Sequence, residues 1–272
     1  MPLEPFNLGL RMAGGFDSDA LTAFAAVESA GGSLTGAQKA AANAFIIGLK
    51  TEGIWTNIKM MYLMLGGTSG AHAVNWRNPA AFSVTWVNSP THDANGVTGS
   101  VTAYGDTGFN PNTQGMAQRP HGHFSYYRSV SNSGNRGLGG CADGTGAMYA
   151  YVSNITHKFS ARYENNAFFQ SVAAGNSGCS VYQRYFINPD AYHQIFRNGA
   201  SDGGPFTNAN SGAVPNYSVY LCAYNGAGTA TYMTANQTLC AFGMFSDTWT
   251  ATQQANFYTL MQALQTAFGR NV

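Results

Sequence analysis

The sequence predicts a mainly β chain, an antiparallel β-sandwich or barrel that carries an N-terminal helical hairpin and a C-terminal helix. Three observations lead there. Hydrophobic spacing is helical as far as Gly53, has a period of two through most of the stretch to Phe245, and becomes helical again at the end. Candidate strands recur at short intervals, with turn signals such as Asn188-Pro189-Asp190, Asn198-Gly199 and Asn225-Gly226 between them. No segment of crossover-helix length separates those strands, which disfavours a parallel α/β arrangement.

In order along the chain, residues 1–15 hold Pro2, Pro5 and a glycine pair but no periodicity, and read as an extended arm. Residues 16–53 read as the hairpin. Asp17 or Ser18 caps a helix over Asp19 to Ser29 that Gly31-Gly32 stops, and Thr35-Gly36-Ala37-Gln38 is a capping box opening a second. That second helix aligns Ala42, Phe45, Ile46 and Leu49 on one face. Two short helices cannot build a core alone, so Phe45 and Leu49 are expected to pack on the sheet or on a partner chain.

Residues 54–248 form the sandwich. Its first strand is the apolar run Ile58 to Leu65, ended by Gly66-Gly67, which ties hairpin to body. Phe82, Val84 and Trp86 alternate with polar neighbours, and similar runs lie at His123–Arg128, Met148–Val152, Phe159–Tyr163, Ala167–Val172, Val181–Ile187, Ala191–Arg197, Tyr217–Tyr224 and Thr238–Phe245. Long polar loops, Asn88 to Gln118 and Asn198 to Pro215, are of the size that usually carries function. Residues 249–272 close the same unit: Thr250-Ala251-Thr252-Gln253 is another capping box, followed by the stripe Phe257, Met261, Leu264, Phe268 and a stop at Gly269.

Composition excludes several classes. Only 9% of residues are charged and the formal net charge is +1, without a Lys/Arg run, so no nucleic-acid footprint exists. No apolar run approaches the roughly 18 residues that span a bilayer, and the first residues lack a signal-peptide apolar region. Cys141, Cys179, Cys222 and Cys240 show no C-x-x-C spacing and read as buried free thiols in preference to the alternative, disulfides.

Catalytic and metal patterns are weak. A glycosidase needs two carboxyls about 5–10 Å apart, but Glu4, Glu28 and Glu52 precede the β region, Glu164 stands alone, and the aspartates sit in turn-like sequence. The order His72, Asp106, Ser177 is the order of a chymotrypsin-type triad, yet too little sheet precedes His72 for that fold. His121-Gly122-His123 could chelate a metal but has no third ligand nearby in sequence. No metal, cofactor or catalytic set is therefore expected. The positive signal is aromatic. Trp86, Tyr104, Tyr126 and Tyr192, with His92, Asp93, Asn95 and Asp106 in the adjoining polar segments, offer flat apolar platforms beside fixed hydrogen-bonding groups, which is what sugar recognition uses. Filling the core is the commoner role for any single ring.

Both ends of the chain resemble a group of bacteriophage and prophage virion proteins. The features are Trp55 soon after the hairpin, Tyr62-Leu63-Met64-Leu65-Gly66-Gly67-Thr68, Arg77-Asn78-Pro79, and the closing Phe268-Gly269-Arg270-Asn271-Val272. The resemblance implies a concanavalin A-like, jelly-roll-type β-sandwich and a non-enzymatic structural protein of the virion. It would be a tail-fibre or adhesin module that binds host surface polysaccharide, assembled with other virion proteins as a homo-oligomer, a trimer by expectation. A head or baseplate decoration protein, or a polysaccharide-acting enzyme, are the alternatives.

Overall fold

A computed structural model describes residues 15–116, 120–129, 135–152, 159–163, 167–172, 177–187, 190–207, 213–233 and 237–272. Two helices open it, α1 (Ser18–Ser29) and α2 (Gly36–Thr51), and the reasons are local. The Asp17 carboxylate accepts from Asp19 N, while Thr35 and Gln38 close a reciprocal capping box. A single 3-10 turn at Trp55–Asn57 then leads into β1 (Ile58–Tyr62), and Thr68 caps the four-residue α3 (Ser69–His72).

Short strands follow: β2 (Thr85–Val87), β3 (Thr91–Asp93), β4 (Gly96–Thr98) and β5 (Tyr104–Asp106). The longer ones are β6 (His121–Ser129), β7 (Arg136–Ala142), β8 (Ala147–Val152), β9 (Phe159–Tyr163), β10 (Ala167–Gln170), β11 (Gly178–Ile187) and β12 (Asp190–Arg197). Then come β13 (Ala200–Ser201), β14 (Phe206–Thr207), β15 (Tyr220–Leu221), β16 (Tyr224–Gly226), β17 (Thr229–Thr231), β18 (Gln237–Phe245) and the closing helix α4 (Ala251–Ala267).

Among the described residues these strands make two nine-stranded sheets. The first runs β13-β12-β11-β6-β18-β4-β3 with β1 also on β18, and the second runs β10-β9-β8-β7-β15-β5-β2 with β16 beside β7. Pairing is antiparallel except for β16 on β7. The expected mainly β sandwich with helical ends is what the chain forms.

Alternation along the central strands assigns the layers. Phe124 and Tyr126 of β6 join a core with Phe24, Phe45, Leu49, Trp249 and Phe257, so one face of the first sheet is covered by α1, α2 and α4. Tyr127 and Tyr182 point the other way into a second core with Leu138, Met148, Leu221 and Phe242, shared by the two sheets. Phe45 and Leu49 thus pack on this chain's own sheet. Since β1 pairs with β18 and Tyr62 is fully buried, Tyr62→Asp is expected to unfold the whole molecule. Thermal melts followed by far-UV and near-UV circular dichroism should shift together; separate transitions would mean that helices and sandwich are independent.

Candidate functional site

β2 and β3 are the last strands of their respective sheets, and the two sheet edges meet through side chains there. The Trp86 ring lies over Gly105, where a Cβ would come within 2.5 Å of the indole, so only glycine lets the ring settle. Its Nε1 donates to Ser69 O at 2.8 Å, and its ring meets the His92 ring edge-on at 4.7 Å. The tight turn between β3 and β4, Asp93-Ala94-Asn95-Gly96, then presents two exposed polar side chains. Asp93 Oδ1 accepts from Asn95 N at 2.7 Å, and Arg128 of β6 donates to Asn95 Oδ1 at 2.9 Å. The result is an edge with a half-buried indole, a carboxylate, an amide and a guanidinium, each held in orientation before any ligand arrives.

Behind this edge His92 Nδ1 lies 3.1 Å from His72 Nδ1. One imidazole must donate and the other accept, so the accepting ring is neutral. Burial, the neighbouring His92 and the Arg270 charge push the His72 pKa down to about 3. Burial also lowers His92, against the opposing pull of Asp93.

Four of the eight residues singled out in the sequence, Trp86, His92, Asp93 and Asn95, therefore converge. The others do not join them. Tyr104 stacks on Tyr220 at 4.6 Å on the outer face of the second sheet, with Asp106 in register beside Tyr220. Burial first, then Asp106 and Tyr104, raise the Tyr220 pKa to about 12. Tyr192 stacks on Tyr185 at 5.6 Å, both half-buried on the first sheet. Tyr126 is closed to any ligand: it is fully buried under the helices, its hydroxyl donating to Gln262 Oε1 and accepting from Val272 N.

Sequence reading weighed His72, His121 and His123 for other chemistry, and it placed neither His72 nor Arg128 at this edge nor the two strand histidines in a buried polar strip between the sheets. His121, His123, Arg184, His193 and Arg197 line the inward face of β6, β11 and β12, and Arg136 faces them from β7. Strict alternation against Phe124, Tyr126 and Val181 was the signal that could have placed the strip. It contains a hydroxyl–imidazole contact, Tyr182 Oη to His193 Nδ1, but both residues are buried. Other chemical sets do not form among the described residues. His72 is spoken for by His92, and Asp106 accepts from its own turn at Gly108 N. No group of three His, Cys, Asp or Glu side chains could hold a metal there, the four cysteines are buried free thiols, and no helix is long and apolar enough to cross a membrane. Glu164 and residues 1–14 of the expected arm lie outside the described residues.

No family model matches the chain, and no curated relative does. Solved structures do. A Trypanosoma rangeli sialidase in complex with a difluorinated sialic acid analogue superposes with a TM-score of 0.52 at 10% identity, over 79% of this chain and 38% of that one. The fold is shared with sialidases. A mutant of the same sialidase displaying trans-sialidase activity gives 0.53 at 11% identity, over 82% and 39% of the two chains. The carbohydrate-binding module CBM40 of a Ruminococcus gnavus sialidase gives 0.43 at 15% identity over 58% and 91%, a score too low to build on. This chain thus spans under two fifths of the T. rangeli sialidases' length, and at such identity the likeness concerns the fold.

These findings correct two expectations. The reading as a virion structural protein and the reading as a non-enzyme are both overturned, since the structures that share the fold are sialidases. The physical reason is visible in the motifs that carried the resemblance. Trp55 is buried in the core, Thr68 caps α3, and Arg270 donates to the carbonyls of Leu63, Met64 and Cys240. Such residues report how the sandwich is closed, and they say nothing about a place in a particle.

Proposed function

We propose that the chain is a glycan-recognising, lectin-like module that binds sugar at the sandwich edge formed by Trp86 and the β3–β4 turn. The observation that carries this reading is the convergence of Trp86, His92, Asp93, Asn95 and Arg128 from three chain segments. A sugar offers a C–H face to an indole and hydroxyls to a carboxylate and an amide, and here those groups are fixed beforehand, which lowers the entropic cost of binding. Arg128 adds affinity for sugars that carry a negative charge. The host-surface polysaccharide named in the sequence reading is one member of this ligand class; a virion setting is not needed for it.

Isothermal titration against the best binder from a glycan array tests the reading. Asp93→Ala with Asn95→Ala, both exposed and outside the core, is expected to weaken binding about tenfold or more while leaving the melting temperature unchanged. Full affinity in that double variant would reject the site. A second reading, glycoside hydrolysis, is favoured by the structures with the same fold, which are sialidases. Release of free sialic acid from a sialylated oligosaccharide would support it; intact substrate after prolonged incubation, with binding retained, would leave recognition alone.

A further inference from the structure

We infer that a second, separate cleft takes an acidic monosaccharide unit of the uronic-acid class. The cleft lies where the start of β1 meets the Arg77-Asn78 turn and the Phe109–Gln114 segment, and has a volume of about 240 Å³. That is below the roughly 300–1,000 Å³ of sites for drug-sized ligands, so it fits one small unit. Lys59, Arg77, Asn78 and Gln114 supply donors, the half-buried Phe82 with the buried Phe109 behind it supplies a small apolar wall, and among the described residues no carboxylate lines it.

Two features set it apart from an ordinary solvated surface. Arg77 is fixed, with Nε donating to Ile58 O at 3.2 Å and the guanidinium stacked 5.1 Å from the Trp55 ring. Lys59 lines the same cleft, and among the described residues neither the terminal amino groups of Arg77 nor the Lys59 ammonium has a partner. Two like charges thus line one cleft without an anion to offset them. The second feature is Phe82, whose φ of +61° is a strained conformation for a bulky side chain. Tyr62 Oη donates to Phe82 O, and the Phe82 ring meets Phe109 edge-on at 5.2 Å, so the strain is spent on keeping a ring in the cleft wall. An anion with a flat apolar face satisfies both: the carboxylate goes to Lys59 and Arg77, and the sugar's C–H face goes to the Phe82 ring. Inorganic anions meet only the first requirement, neutral sugars only the second.

Glucuronate, glucose and inorganic sulfate, titrated into the full chain by NMR, decide the matter. Glucuronate is expected to shift aromatic signals of Phe82 and Phe109, to bind about tenfold more tightly than either control, and to weaken as salt is raised. Lys59→Gln should cut glucuronate affinity about tenfold without changing the melting temperature; Arg77→Gln should do the same, and its lost contact with Trp55 makes Lys59→Gln the cleaner variant. Equal binding of glucose or of sulfate, or glucuronate affinity untouched by Lys59→Gln, would overturn the assignment. The inference does not rest on the Trp86 edge. Glucuronate binding that survives Asp93→Ala with Asn95→Ala supports this cleft whatever becomes of that edge, and binding abolished by that double variant places the ligand there instead and overturns it.

Discussion

Arg270→Met is expected to destabilise the fold by about 3–6 kcal/mol, out of the roughly 5–15 kcal/mol typical of a domain. Arg270 is fully buried, and burial pushes its pKa below the ordinary value, yet a guanidinium stays charged in proteins. Its Nε donates to Gln265 Oε1 at 2.6 Å, Nη1 to Met64 O at 2.8 Å, and Nη2 to Leu63 O at 2.7 Å and Cys240 O at 3.3 Å. One planar fork thus joins the end of α4, the segment after β1, and β18. Met64 sits at a φ of +49°, a strained turn whose carbonyl points at that fork. Methionine matches the stem's volume but leaves three buried carbonyls without a donor, and each such orphan costs about 1–3 kcal/mol. Lysine is no remedy, because a point charge cannot replace a fork that reaches four acceptors in one plane. Urea titration should show a lower midpoint at an unchanged m value for Arg270→Lys and a larger drop for Arg270→Met. A midpoint within error of the parent would mean that water satisfies those carbonyls and that the clamp is dispensable.

Much of this frame was legible because local chemistry and global fold agree. The capping boxes at Thr35 and Thr250 open α2 and α4 as their spacing says, and β6, β11, β12 and β18 follow their period-two patterns. β7 was not legible. Gly137, Gly139 and Gly140 remove the β-branched signal, and they are there because neighbours leave no room: a Cβ on Gly137 would lie 2.7 Å from Ala223 Cα, and one on Gly139 2.8 Å from the Phe242 ring. Composition alone cannot report a close approach between distant segments. The hairpin of β3 and β4 was hidden differently, inside what read as a long polar loop, although Asn95-Gly96 is a hairpin turn signal. Its strands are three residues each, too short for alternation to show.

The same limits explain the candidate site. Trp86, His92, Asp93 and Asn95 were found by residue type, but their convergence depends on two sheet edges meeting, which no periodicity encodes. Tyr126 looked like its neighbour Tyr127, and register alone decides that one faces the helices and the other the second sheet.

Stability is expected to fall steeply between pH 6.5 and pH 5, before most carboxylates titrate. His72 and His123 are both buried, and each has a pKa pushed down to about 3. Burial is the first cause in both. The neighbouring His92 and the Arg270 charge add to it at His72, and the neighbouring His121 adds to it at His123. His123 is sandwiched between the Tyr182 and Phe242 rings, which leave no water to solvate a cation. The folded state therefore holds both imidazoles as free bases, while the unfolded chain takes up protons near the ordinary value of about 6.5. Between about 3 and 6.5 the unfolded state binds more protons, so stability rises with pH across that window, is complete above it, and is lost on acidification. At about 1.4 kcal/mol per pH unit for each group, the two remove about 4 kcal/mol by pH 5. His72→Gln and His123→Phe, the latter preserving the stacked ring, should each lower the slope of unfolding free energy against pH, and together should remove most of it, leaving the smaller share of His92. Carboxylates, with ordinary values near 4, contribute only toward the lower end, so a slope that begins at pH 6.5 belongs to the histidines. Equal urea midpoints at pH 7 and pH 5 for the parent protein would show that these imidazoles accept protons without leaving the fold, and that the sandwich interior is wetter than its packing implies.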